Sequence, residues 1–310
     1  MNKKRNTIIT IVIIVCILLT GAVFYILNFS KDESSLTVLE KKWISDNINK
    51  VIDIDVYNDI PVFGYNGEGM IFDFLDYTAK ENQINFNKVS YYTNSKIDYS
   101  SISFQVLKNN EKIGKQDIVL YEDYYAIYTK DKNHSIDLNQ NLHFAYLSED
   151  EEVLKNYFPK NIELTSYDKV EDLIKDYQEN KFDNIILPSN KYMDIVLKNK
   201  LQVGYHLTDL KLNYILRVKE ETIYQILKKS YLNYIQNQYE SDYSKNYLKL
   251  YFDSTNTSDL LRKNYNAKTY RYGYVINMPY ENTVQKDFVG TISNYLTDFN
   301  KVAGTDIEVK

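Results

Sequence analysis

The side chains of this chain with the means to do acid–base chemistry are mostly carboxylates, and their spacing argues against a reaction. Glu122-Asp123 and the acids of 149–152 are adjacent in sequence. A working acid–base pair needs two carboxyls in different environments, whereas neighbouring acids in a polar run are usually solvated. His134, His143 and His206 are scattered, without the spacing of a metal site, and Cys16 is the one cysteine, so neither a Cys metal site nor a disulfide within the chain is expected. G-x-S-x-G, the P-loop and HExxH are all missing from the sequence, and no Cys–His pair stands outside the apolar N-terminal run. No enzyme activity, metal or cofactor is expected. Ser148-Glu149-Asp150-Glu151 reads as a capping box, the Ser hydroxyl taking an orphan N–H and Glu151 reaching back.

The elements that must position these groups follow from composition and pattern. The chain has 310 residues, 25% of them charged, with a net charge of −5 mixed in sign along its length. No basic stripe points to nucleic acid. The 31 Tyr residues reflect a Lys-, Asn-, Ile- and Tyr-rich coding bias more than a binding surface. Residues 1–6 are MNKKRN, and 7–29 carry no charge. At ~1.5 Å per residue that run reaches ~34 Å, enough to span a hydrocarbon core as a helix. The cationic start places the N-terminus in the cytoplasm and the bulk of the chain outside it. The apolar core is longer than that of a cleaved signal, and no small-x-small site follows it. A single-pass signal anchor in the cell membrane is expected, with 1–29 as its n-region and span.

Beyond a short polar linker, 36–49 is amphipathic, with Leu36, Leu39, Trp43 and Ile44 at helical spacing. VIDIDVY at 51–57 reads as a strand, 58–69 as a Pro- and Gly-containing loop, 70–82 as a helix and 85–92 as a strand. Short apolar runs follow at 101–106, 118–121 and 124–129, then strands at 141–147, 162–165 and 182–187. Helices are expected to about 158, over 168–180 with Asp168 and Glu171 as a second capping pair, and over 189–199. Residues 202–206 are extended, 212–218 a strand and 221–239 a long helix. Strands alternating with helices argue for α/β architecture with parallel sheets. The opening stretch returns near the C-terminus. Pro61 stands nine residues before Met70-Ile71, and Pro279 nine before Phe288-Val289, an offset of 279 − 61 = 218. Each apolar pair is expected to open a helix, and a period that long matches a whole domain.

Four stretches carry a family likeness: the Leu36-Thr37, Glu40 and Trp43 lead-in to VIDIDVYNDIPVF, DIVLYEDYYAIYTK at 117–130, 144–158, and SYDKVEDLIKDYQENKFDNIIL at 166–187. Over roughly 36–252 the chain resembles the extracellular solute-binding proteins of family 3, the type II periplasmic-binding or Venus flytrap fold, as found in tandem-flytrap membrane sensors. The likeness implies a two-lobed α/β domain over 30–252 after the membrane helix, a linker over 253–269, and the truncated start of a second such domain over 270–310. Any output enzyme domain lies beyond this chain.

The likeness also implies a ligand cleft between the lobes, at the C-terminal ends of strands. Tyr57, Phe63, Tyr65 and Tyr125 are expected to line it. Lys112 stands nearest to the Arg that holds an α-carboxylate in amino-acid binders of the family, but lacks its bidentate fork. Ser148 opens the lobe-two helix whose amides assist that Arg, here among carboxylates. Pro188 stands where those binders carry the Asp for the α-ammonium. An ordinary α-amino acid is therefore not expected as ligand, while an acidic cleft mouth suits a cationic or peptide ligand. The expected function is the extracellular ligand-sensing module of a membrane-anchored signalling protein. Its expected partners are a small-molecule or peptide ligand, the membrane through 7–29, and an output domain or partner chain, with no nucleic acid. The alternatives are a membrane-tethered receptor of an ABC-type transporter and a degenerate flytrap serving as an interaction module.

Overall fold

The computed structural model describes residues 35–310 except 94, 96–97, 110, 130–135, 137–141 and 160–161. The anchor expected at 7–29 lies outside the described residues. No described helix is long and apolar enough to cross a membrane.

In chain order the elements are α1 (Val38–Asn47), β1 (Val51–Tyr57), β2 (Asp59–Ile60), β3 (Gly64–Tyr65), α2 (Met70–Asn82), β4 (Asn85–Tyr91), β5 (Ile102–Leu107) and β6 (Asp117–Thr129). There follow β7 (His143–Leu147), α3 (Glu151–Tyr157), β8 (Glu163–Tyr167), α4 (Val170–Gln178), β9 (Asn184–Pro188), α5 (Met193–Lys198) and β10 (Gln202–Val218). Then come α6 (Glu221–Asn237), α7 (Tyr239–Ser254), α8 (Asp259–Asn266), β11 (Thr269–Tyr272), β12 (Asn282–Val284), β13 (Asp287–Val289), α9 (Thr291–Ala303) and β14 (Asp306–Val309).

Eight strands form one sheet in the order β4-β1-β5-β10-β6-β9-β7-β8. At one end β4, β1 and β5 are parallel, and at the other β8, β7 and β9 are parallel. Each parallel set is a lobe of α/β type, with crossover helices. The parallel sheets expected from the sequence form within each lobe, but the strands between them are antiparallel. β10 runs antiparallel to both β5 and β6, and β6 antiparallel to β9. The runs at 118–121 and 124–129 join into β6, and those at 202–206 and 212–218 join into β10. These two long strands pass through both lobes as a pair. Their register shifts between Val203/Tyr205, Leu207/Lys211 and Tyr214/Ile215. The shift at 207–211 adds three residues to β10 alone. Such bulges bend a ladder, and they broke the alternation that would have revealed one strand.

Lobe one buries Ile54, Val56, Phe74, Leu75, Phe104, Ile226 and Leu227 between its strands, α2 and α6. Lobe two packs Ala126, Ala145, Leu173, Ile185 and Leu187 under α4. α1 does not behave as its apolar spacing suggests: Val38 and Leu39 are exposed, while Glu40 is buried. Thr37 and Glu40 form a capping box, with Thr37 N–H on Glu40 Oε2 at 2.7 Å and Glu40 N–H on Thr37 Oγ1 at 3.3 Å. Lys229 Nζ then meets Glu40 Oε2 at 2.7 Å, and Trp43 Nε1 donates to Glu220 at 2.7 Å. Polar ties dock this helix together with Trp43, which packs against the core.

Burial pushes the Glu40 carboxyl up, but Lys229 and the Thr37 N–H more than reverse this and leave it below its usual range. A depressed folded pKa contributes stability above the unfolded value near ~4.3, which is lost as pH falls through the folded value. Glu40→Gln is therefore expected to cost about 1 kcal/mol at neutral pH, the scale of a cap plus a screened pair. In urea unfolding the difference from wild type should shrink as pH falls below ~4.3 and through the lowered folded value, where the carboxyl becomes neutral like the Gln amide.

The C-terminal unit repeats the opening one in three dimensions. α2 and α9 each follow a glycine, Gly69 at φ 117° and Gly290 at φ 115°. Met70 and Ile71 N–H bond the carbonyls of Val62 and Phe63, and Thr291 and Ile292 N–H bond those of Pro279 and Tyr280. A Cβ on Gly69 would lie 2.7 Å from the Val62 and Phe63 oxygens, and one on Gly290 would strike the Tyr280 oxygen. Both helices end in a left-handed residue, Gln83 or Gly304, and lead into a strand parallel to the first. One expectation is corrected here. Phe288-Val289 does not open a helix but lies in β13, and the helix begins at Thr291. The first strands are offset by 269 − 51 = 218 and the helices by 291 − 70 = 221. From the start of the strand to the start of the helix the second unit is three residues longer, and the extra residues fall between Pro279 and Gly290. Within 253–269, residues 259–266 form α8, capped by Ser258 Oγ on the Leu261 N–H.

Candidate functional site

The C-terminal ends of β1, β5, β7 and β9 point into the space between the lobes, where an α/β sheet presents ligand groups. They deliver Tyr57, Lys108, Glu149 with Asp150, and Lys191. The capping box expected at Ser148–Glu151 does not form. The chain makes a 3₁₀ turn over Ser148–Asp150 instead, and neither that turn nor α3 carries a side-chain cap. The Ser148 hydroxyl donates to Asp168 Oδ1 at 2.8 Å, and Glu151 pairs with Lys155. Asp168 is thereby engaged, and α4 starts after Lys169 without a side-chain cap, so the second capping pair is also absent.

This turn leaves Glu149 and Asp150 at the cleft. Lys191 Nζ lies 2.7 Å from Glu149 Oε1, and the Tyr192 hydroxyl donates to the same oxygen at 2.6 Å. The Tyr125 hydroxyl donates to Asp150 Oδ1 at 2.8 Å. From lobe one, Lys108 Nζ donates to the Glu149 carbonyl and stands 3.6 Å from Asp150 Oδ1. Lys108 is thus a polar tie between the lobes. Burial raises the Glu149 carboxyl, and the Lys191 charge overrides it, holding the group below its usual range. Asp150 is pushed up by burial, then by Glu149. Burial presses the Lys191 ammonium down, and Glu149 more than restores it. Tyr57 is raised by burial, with Lys191 pulling the other way.

The loop carrying Lys191 is held by Asp123 of β6, which is wholly buried. Its carboxylate accepts the Asn190 N–H at 2.9 and 3.0 Å, the Lys191 N–H at 3.0 Å, Asn190 Nδ2 at 3.1 Å and the Tyr214 hydroxyl at 2.7 Å. Burial raises this carboxyl, and the donors oppose it. One group therefore joins both hinge strands to the lobe-two wall of the cleft.

Of the residues expected at the site, Tyr57, Tyr125 and Ser148 come to the end of β7 or face it. The Tyr57 hydroxyl is within 2.6 Å of Thr93 Oγ1. Tyr65 lines a cavity of about 230 Å³ that sets Glu68, Asn246 and Lys249 against Asp194 and Lys198 of lobe two. We place the site at the strand ends because the opposed charges of both lobes meet there. Phe63 is buried behind the cleft, and Lys112 is exposed in the β5–β6 loop, where Lys108 is the lysine that reaches lobe two. Sequence reasoning placed Glu149 and Asp150 only as acids of the cleft mouth, and missed Lys108, Lys191 and Tyr192 as site residues. The available signal was position: each falls within four residues of a strand's C-terminal end. Among the described residues, no group of three or more His, Cys, Asp or Glu is placed to hold a metal.

No family model and no curated protein matches the chain. Solved structures do. The periplasmic domain of BvgS from Bordetella pertussis superposes with a TM-score of 0.54 at 13% identity, over 89% of this chain and 59% of that one. A double mutant of the BvgS VFT2 domain gives 0.51 at 13% identity, over 68% of this chain and 98% of that one. This chain has the Venus flytrap fold. In flytrap terms, β6 and β10 are the inter-lobe strands, and the four strand ends line the cleft. The family-3 resemblance of the sequence, including its tandem-sensor members, therefore holds at the level of fold.

Proposed function

We propose that the chain is the extracytoplasmic ligand-sensing module of a membrane-anchored signalling protein, and that its ligand is not an ordinary α-amino acid. The observation that carries this reading is the meeting of opposed charges from two hinged lobes at the strand ends. A ligand that bridges Tyr57 and Lys108 of one lobe to Glu149 and Lys191 of the other biases the closed arrangement, and closure is the signal. The site offers no Arg fork for a carboxylate, and its lobe-two turn presents acids. A cationic ligand or basic peptide fits that corner.

Three features support the membrane sensor in particular. The uncharged run at 7–29 follows Lys3, Lys4 and Arg5, fitting a single span with the N-terminus inside and the bulk outside. The unit at 269–310 repeats the opening of the first flytrap, and we assign it as the start of a second, after a linker at 253–269. Its Val275, Ile276 and Met278 are 70% or more exposed, fitting core positions that further chain would cover. A second reading is a degenerate flytrap that serves as an interaction module. It draws on the pairing of Glu149 with Lys191 and Tyr192 of the same lobe inside the cleft.

The experiment follows lobe separation with paired spin labels while the full chain, in detergent, is titrated with trilysine, spermidine or glycine. A changed separation with a basic probe and none with glycine is expected. Indifference to every probe would leave the interaction module as the better reading.

A further inference from the structure

Lys191 is the cleft residue that a simple receptor does not need. Its side chain is only 11% exposed. Its backbone is fixed by Asp123, so the side chain is delivered to one place. There the ammonium meets the Glu149 carboxylate at 2.7 Å, with the Tyr192 hydroxyl on the same oxygen and the Tyr192 ring 5.4 Å from Nζ. A carboxylate, a phenol and an aromatic face are the groups that receive an organic ammonium. Next to them, Asp150 Oδ2 is buried without a hydrogen-bond partner. Asp150 Oδ1 is shared by Tyr125 and, at 3.6 Å, Lys108. The corner therefore holds more acceptor capacity than its resident cations use.

We propose that this corner is a primary-ammonium site already occupied by the chain's own Lys191, which acts as a tethered ligand. The inference rests on the reading of the cleft as the binding site and deepens it by naming the group recognised. Tethering gives the lysine an effective concentration in the millimolar range or above. A simple amine cannot compete with it, whereas a ligand with several contacts can displace it. Removing the side chain beyond Cβ should leave a space the size and charge of n-propylammonium.

The test uses the full chain in detergent, as wild type and as Lys191→Ala, with thermal unfolding followed at constant ionic strength. Lys191→Ala should lower Tm by about 5 °C or more, because Glu149 loses its buried partner. Titrating n-propylammonium should restore about 3 °C or more with saturation, and 1-propanol should restore nothing. Wild type should not respond, and Glu149→Gln in the Lys191→Ala background should abolish the rescue. Should Lys191→Ala fail to fold alone, refolding with and without n-propylammonium reads the same question, since recovery only with the amine supports the proposal. Lys191→Met, which keeps the length without the charge, should ignore the amine. An equal response in wild type, a response in Lys191→Met, or none in folded Lys191→Ala overturns the proposal. If wild type answers trilysine while Lys191→Ala ignores propylammonium, the tethered cation falls and the sensing module stands.

Discussion

Asp123→Ala is expected to lower the stability of the folded chain by about 4 kcal/mol. The carboxylate has no solvent exposure and accepts from two backbone N–H groups, one side-chain amide and one hydroxyl. Alanine leaves those donors buried without an acceptor, at about 1–3 kcal/mol each when water cannot reach them. Relief of the buried charge offsets part of this. Tyr214→Phe removes a single donor from the same carboxylate and should cost about 1 kcal/mol. Urea unfolding at neutral pH measures both. An Asp123→Ala chain within about 1 kcal/mol of wild type would show that the hinge does not depend on this group. The same substitution should free the Asn190–Lys191 loop, seen as faster amide exchange at Lys191.

Phe63→Ala is expected to cost about 3–5 kcal/mol, the range for deleting a buried aromatic. Phe63 is 2% exposed, with its ring centroid 4.6 Å from Tyr121, 5.1 Å from Tyr214 and 6.2 Å from Tyr243. It therefore plugs the loop after β1 onto both hinge strands and α7. Tyr65, two residues on, is 37% exposed and should cost under about 1 kcal/mol when changed to alanine, as surface positions do. Guanidinium unfolding of the two variants decides the order. A larger loss for Tyr65→Ala would mean that the loop packs the other way round.

The contrast between these two residues shows what the sequence makes legible. Alternation in VIDIDVY and periodicity in 70–82 report burial on one face of a regular element, and both elements form within a residue of expectation. Phe63 and Tyr65 sit in a loop, where no period says which ring faces inward. β6 reads as two pieces because Glu122-Asp123 interrupts its apolar run, and β10 because its register shifts over 207–211. The long-range antiparallel pairing of 202–218 with 117–129 leaves no local signature. The site was half legible for the same reason. Ser148 and Tyr125 could be placed through family order. Lys191 looks like an ordinary surface charge until the sheet brings the ends of β7 and β9 together beside Glu149 and Asp150. The local rule for Ser148–Glu151 failed because the chain turns through 3₁₀ geometry before α3 begins, and tertiary partners claim Ser148 and Glu149.

Two lobes, hinged on β6 and β10, meet across Lys108, Glu149 and Asp150. The most direct measurement places spin labels at exposed Lys80 on α2 and Lys175 on α4, in a Cys16→Ser background, and records the distance distribution for the full chain. One narrow distance is expected for the unliganded protein. Lys108→Met should spread it to longer values, Lys112→Met should not, and trilysine should shift it where glycine does not. A distribution indifferent to Lys108→Met and to every probe would contradict a hinged, ligand-gated cleft.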